Sequence, residues 1–169
     1  MENYKRDLQL KILDMVKDID LVCKKHNIKY YLAYGSVLGA VRHQGFIPWD
    51  DDFDIMLKLD DYNKFIKACQ EDLDSKKYFV QTLETDPNYY LSFGKIRNIQ
   101  TTLIEENNKF ENMVNGVYID VFPYDSLPKS NFVYKVQRTL SYNILKSFKR
   151  LRDMPEKLNF KNKITFSFY

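Results

Sequence analysis

Cysteine is nearly absent: Cys23 and Cys69 are the chain's two, and neither has a C-x-x-C or other metal-ligand spacing. No thiolate metal site follows from them, and both read as core residues of a protein in a reducing compartment. Glycine is scarce as well, at 5 of 169 residues, so few turns can rest on it. Charge of one sign is missing: a formal net charge of +3 is too small to argue for a nucleic-acid partner. No apolar run is long enough to span a bilayer. The opening segment, MENYKRDLQLKILDM, carries charges throughout and no apolar stretch of the signal-peptide kind. The expectation is a cytoplasmic protein, with peripheral contact at the inner face of the cell membrane left open. Internal repeats and low-complexity linkers are also lacking.

What is present is the composition of an ordinary globular protein, 44% hydrophobic and 29% charged, which excludes a disordered chain. The length suits a single domain, residues 1–169. Basic residues are uneven: Lys146, Lys149, Arg150 and Arg152 cluster late. A solvated helix face explains them more simply than an anionic partner or membrane.

Leu8, Ile12, Met15, Val16, Ile19, Val22 and Cys23 recur at helical spacing and predict a helix over residues 5–25. IKYYLAY (28–34) has strand composition, ends at Gly35-Ser36 and leads into a short helix, VLGAVRH. QGFIPW (44–49) reads as a loop and FDIMLKL (53–59) as a strand. Asp60-Asp61 then open a helix to about Asp72. Strands are expected over 77–84, 89–98, 101–106 and 116–122, and a helix over 131–152. The order predicts an α+β fold, a mixed β-sheet flanked by helices. The chain stops on an apolar, strand-like segment; the expectation is that a C-terminal portion is missing, though a natural terminus pairing with the sheet would look similar.

Four aspartates crowd into residues 50–54, just ahead of an apolar run. In Asp52-Phe53-Asp54-Ile55 carboxylates alternate with apolar side chains, and on a strand residues i and i+2 share a face. Two such carboxylates repel unless a proton or cation lies between them. A hard divalent ion accepts them and keeps further positions for phosphate oxygens, so the pattern predicts Mg²⁺, with Mn²⁺ as an alternative, at a phosphate site. An EF-hand does not fit, because its sixth position would be Ile55 and its twelfth Asp61. Asp120, in the apolar strand VYIDVF, is costly to bury alone. It either pairs with a buried Arg or completes a three-carboxylate set. Gly35-Ser36 offers backbone N–H groups, a hydroxyl and a positive helix end to a phosphate.

Several basic and aromatic residues could support such a site. Arg42 could reach a phosphate or pair with an aspartate. His43 reads as a surface residue. Lys95 and Arg97 share one strand face and are expected to contact phosphate or acceptor. Trp49, the single Trp, is a packing anchor or a stacking surface.

Gly-Ser, then a paired Asp-x-Asp, then a lone strand Asp resembles the polymerase-β-like nucleotidyltransferase fold. The string GSVLGAVRHQGFIPWDDDFDI with the downstream IDVFPYD is similar to LicD/fukutin-type transferases, over roughly Tyr30 to Asp125. The resemblance implies that Gly35 and Ser36 cradle phosphate, that Asp52 and Asp54 bind metal, and that Asp120 is the third catalytic and metal-binding carboxylate. It also implies transfer of phosphocholine, or a related phospho-alcohol, from a CDP-choline-like donor to a sugar hydroxyl. The acceptor would be a cell-surface glycan or glycolipid such as lipopolysaccharide or teichoic acid. Arg42, Lys95 and Arg97 would neutralise remaining phosphate charge. The family's usual C-terminal Tyr-Gly motif is not found here. Two rival functions share these residues: nucleotidyl transfer to a small molecule, protein or RNA, and a non-catalytic binding domain of the same fold.

Overall fold

The apolar stripe of the first segment becomes α1 (Glu2–Lys25) in the structure, a computed structural model that describes residues 2–103 and 113–152. Leu8, Ile12, Met15, Ile19 and Val22 are buried along it. Next come β1 (Tyr31–Leu32), α2 (Tyr34–His43), β2 (Asp54–Lys58) and α3 (Leu59–Asp72). They are followed by β3 (Tyr78–Gln81), β4 (Gly94–Asn98), β5 (Val117–Tyr124) and α4 (Asn131–Arg152). The chain divides into two compact units, Met1–Asp125 and Ser126–Tyr169. α4 belongs to the second; it carries Lys and Arg but no Asp or Glu, and Thr139 and Ser147 return their hydroxyls to carbonyls one turn back. Among the described residues, no helix is long and apolar enough to cross a membrane.

Within the first unit the five strands form one mixed sheet in the order β1-β2-β5-β4-β3. β2 and β5 run parallel; the other neighbours are antiparallel. The α+β expectation is met. Opposed residues of paired strands share a face, so the register sorts the side chains. Ile55, Leu57, Val80, Ile96, Ile119 and Val121 take one face, where they form the core with α1 and α3. Asp54, Lys95, Arg97, Tyr118, Asp120 and Phe122 take the other. A single register slip would exchange the two sets.

Cys23 and Cys69 are both buried in that core as free thiols, and burial pushes Cys23 up to about 12 and Cys69 also upward. Such thiols are unreactive packing groups, as their sequence context implied.

Some boundaries differ from expectation. Only Tyr31 and Leu32 of the first predicted strand pair with the sheet, and Gly35-Ser36 lie inside the first turn of α2 instead of ahead of it. β3 and β4 are shorter than predicted because residues 82–93 leave the sheet as turns, with Thr82 and Thr85 hydrogen-bonding each other's backbone. Residues 101–103 are not strand; the rest of the 101–106 prediction, and the apolar C-terminal segment, lie outside the described residues.

Candidate metal and phosphate site

The carboxylates come together at the junction of β2 and β5. Asp54 opens β2 and stands opposite Asp120 in the parallel register, and both side chains are buried. Asp52 lies just ahead of the strand, yet the pairing begins before it: the Asp120 N–H donates to the Phe53 carbonyl at 2.9 Å. Asp50, Asp51 and Asp52 can bring one carboxylate oxygen each within 4.8 Å of one another. The acidic group is therefore wider than the Asp52, Asp54, Asp120 set, because Asp50 and Asp51 fold back beside Asp52.

Repulsion and burial are visible in the proton affinities. Burial first, then Asp50, Asp120 and Asp51, push the Asp52 carboxyl up to about 6. Burial, then Asp52, Asp120 and Asp50, push Asp54 up to about 7, with Lys95 opposing. Neighbouring carboxylates thus add to burial in raising Asp52 and Asp54, as like charges in a low-dielectric site do.

The loop that carries the cluster is anchored from α1. The buried Gln9 amide donates to the carbonyls of Ile47, at 3.1 Å, and Asp50, at 3.0 Å. Lys5 donates to the Trp49 carbonyl at 2.7 Å. Gln9 escaped the sequence reading, although a polar amide inside an apolar helix stripe was a signal for it. Trp49 itself is 69% exposed and meets His43 edge-on, so it is no packing anchor.

Gly35 and Ser36 sit against these aspartates. Ser36 Oγ accepts the Asp54 N–H at 2.8 Å, tying the start of α2 to the start of β2. A side chain at Gly35 would place its Cβ 2.8 Å from Asp50 Oδ2, so any larger residue there would force the Asp50 carboxylate to shift. Beside them lies a cavity of about 320 Å³, lined in part by Gly35, Ser36, Ala40, Phe46, Asp50 and Phe53.

The basic candidates separate. Lys95 Nζ lies 2.6 Å from Asp120 Oδ1 and 3.4 Å from the Tyr118 ring centroid. It belongs to the site. Arg97 is on the same face but is 1% exposed, and it donates to Gln81 Oε1 and, at 3.0 Å, to the Gly116 carbonyl. Those bonds give Arg97 a structural task, and a phosphate could reach it only if they were released. Gly116 makes the arrangement possible, with φ of 138° and no room for a Cβ beside the Asn98 carbonyl. Arg42, in the last turn of α2, is exposed, and no ion pair joins it to an aspartate among the described residues. His43 is exposed beside it.

Aromatic rings continue the site beyond Asp120. Phe122 follows it on the same face and packs on Phe93, centroids 4.4 Å apart. Tyr34 stands edge-on to Phe122 at 5.1 Å. These three were not recognised from sequence, because the register that gathers them joins distant segments.

Comparison with known proteins gives the family. Residues 27–162 match the model of the LicD/FKTN/FKRP nucleotidyltransferase domain. The chain is similar to the lipopolysaccharide cholinephosphotransferase LicD of Haemophilus influenzae, 28% identical over 148 residues, 87% of this chain and 51% of that protein. Over 40 residues, 24% of this chain and 8% of the relative, it is 45% identical to the human ribitol 5-phosphate transferase FKRP. A yeast protein, mannosyltransferase regulator 4 of Saccharomyces cerevisiae, is 20% identical over 122 residues, 70% of this chain and 10% of its own. The chain thus spans about half the length of the first of these relatives or less. With a match across most of its length, and with Gly35-Ser36, Asp52, Asp54 and Asp120 gathered at the junction of β2 and the central strand β5, the chain belongs to the LicD/FKTN/FKRP nucleotidyltransferase-domain family.

Proposed function

We propose that the protein is a metal-dependent transferase that moves phosphocholine, or a related phospho-alcohol, from a CDP-activated donor to a sugar hydroxyl of a cell-surface glycan. The observation that carries this reading is the carboxylate group at the β2–β5 junction, where Asp54 stands opposite Asp120 and burial with neighbouring carboxylates raises Asp52 and Asp54. An all-oxygen set with surplus negative charge suits a hard divalent cation, Mg²⁺ or Mn²⁺. Asp52, Asp54 and Asp120 would hold it, with Asp50 beside Asp52. When bound, such an ion neutralises the donor diphosphate and stabilises the charge that develops on departing CMP.

The chain's own residues do the rest. The start of α2 at Gly35-Ser36 receives the donor phosphates. Ser36 holds Asp54 in place through its backbone N–H. The Lys95 ammonium balances part of the carboxylate charge and stands within reach of a phosphoryl oxygen. The acceptor hydroxyl oxygen forms a bond to the transferred phosphorus as the bond from phosphorus to the CMP oxygen breaks. Asp120 takes the hydroxyl proton. The names of the Haemophilus and human relatives, both phospho-alcohol transferases, support the class of group transferred.

The test is turnover. Purified protein with Mg²⁺, CDP-choline and a glycan acceptor is expected to release CMP, and Asp54→Asn to lower that rate by at least about 10²-fold. Nucleoside triphosphate turnover with pyrophosphate release, and none of CDP-choline, would assign the site to nucleotidyl transfer instead.

A further inference from the structure

The geometry points to a head-group subsite built from Tyr34, Phe93 and Phe122, which receives a quaternary ammonium through the faces of its rings. The inference rests on the CDP-donor reading above and adds what sits at the other end of the transferred phosphate.

Three observations carry it. The first is position. Phe122 is two residues past Asp120 on one face of β5, about 7 Å along the strand. A group joined to phosphorus by an oxygen and two carbons, with the phosphate at Asp120, ends at that ring. The second is local chemistry. The Lys95 ammonium already lies over two rings of this face, 3.4 Å from the Tyr118 centroid and 5.7 Å from that of Phe93. Phe93, one ring of the trio, therefore meets a cation in the protein's own structure.

The third is the conformation of Tyr34. Its φ of 43° is in the left-handed region, costly for a bulky side chain, and its N–H begins α2. The ring remains 68% exposed while standing nearly perpendicular to Phe122, at 80°. An aromatic residue held in a strained conformation, yet left open to solvent, is poorly explained by core packing. With Phe122 and Phe93 it makes an angled, accessible aromatic surface next to the carboxylates.

A charge-specific pair of ligands tests this. CDP-choline and its neutral carbon isostere, CDP-3,3-dimethylbutanol, have the same shape, nucleotide and diphosphate; only the first carries the cation. With Mg²⁺ present, titration calorimetry on the whole protein is expected to give roughly 10-fold tighter binding of CDP-choline. Phe122→Leu and, separately, Tyr34→Leu should bring that ratio close to one while both ligands still bind. Equal affinities in the unaltered protein would overturn the subsite and leave the donor reading standing. A wild-type ratio that survives both substitutions would overturn it too, as would equal weakening of both ligands, the sign of cytosine stacking. Absence of binding by either ligand would remove the donor reading and the subsite with it. Tyr34→Leu, at an exposed ring, keeps the test valid if Phe122→Leu does not fold.

Discussion

Asp54 shows how much one residue's surroundings matter. Its carboxyl titrates at about 7, and that of Asp52 at about 6, against an ordinary 3.8. The folded state therefore holds these protons more tightly than the unfolded chain. Their stabilising contribution is complete below the unfolded value and is lost as pH climbs through the folded ones. Without divalent metal, the urea midpoint is expected to fall between pH about 4 and about 7. Asp54→Asn should flatten that fall. Added Mg²⁺ should raise the melting temperature, more at pH 8 than at pH 5, because ligands must first lose their protons. A shift in thermal-unfolding assays that is equal at both pH values would contradict the carboxylate site. The Asp-x-Asp pair was legible in sequence because period-two alternation is local. The task of Arg97 was not, since its partners Gln81 and Gly116 lie 16 and 19 positions away.

At the scale of elements, β3, β4 and β5 are bound by more than their ladder. Arg97 on β4 reaches Gln81 at the end of β3 and the Gly116 carbonyl just before β5. Gln81 in turn donates to Asp86, which also accepts the Val114 N–H. Burial alone would raise the Asp86 carboxyl, but the Gln81 amide and the Val114 and Asn88 N–H groups hold it below its usual value. Arg97→Met would leave the Gln81 and Gly116 acceptors buried without this donor, each at about 1–3 kcal/mol. Urea denaturation is expected to show a loss of about 2–5 kcal/mol, with Mg²⁺ affinity little changed. Loss of Mg²⁺ binding in a still-folded Arg97→Met protein would return Arg97 to the site. The helices were legible for a related reason: α1 and α3 each bury a continuous stripe, a strong periodic signal. Short β1 and the inclusion of Gly35-Ser36 in α2 were not, because the Ser36–Asp54 bond and sheet pairing override local preference there.

Taken as a molecule, the described core lies wholly between Leu8 and Val121. The carboxylates, Lys95 and the aromatic trio all fall between Tyr34 and Phe122. A protein of residues 1–125, the first compact unit, is expected to melt cooperatively and to bind Mg²⁺ with an affinity near that of the whole chain. A molten product by near-ultraviolet circular dichroism would show that the second unit is needed for folding. The mixed sheet and its helices could be foreseen from element order, whereas strand order could not, because the parallel β2–β5 pair joins segments separated by two strands and a helix. That pair has a consequence for biosynthesis. Asp54 and Asp120 are 66 positions apart (120 − 54), and they meet only when β5 docks beside β2. A ribosome therefore makes the entire acidic loop, both faces of α3 and two further strands before the last carboxylate is available. The cation site proposed above takes one of its ligands from Asp120, so that site is complete only once β5 has paired with β2.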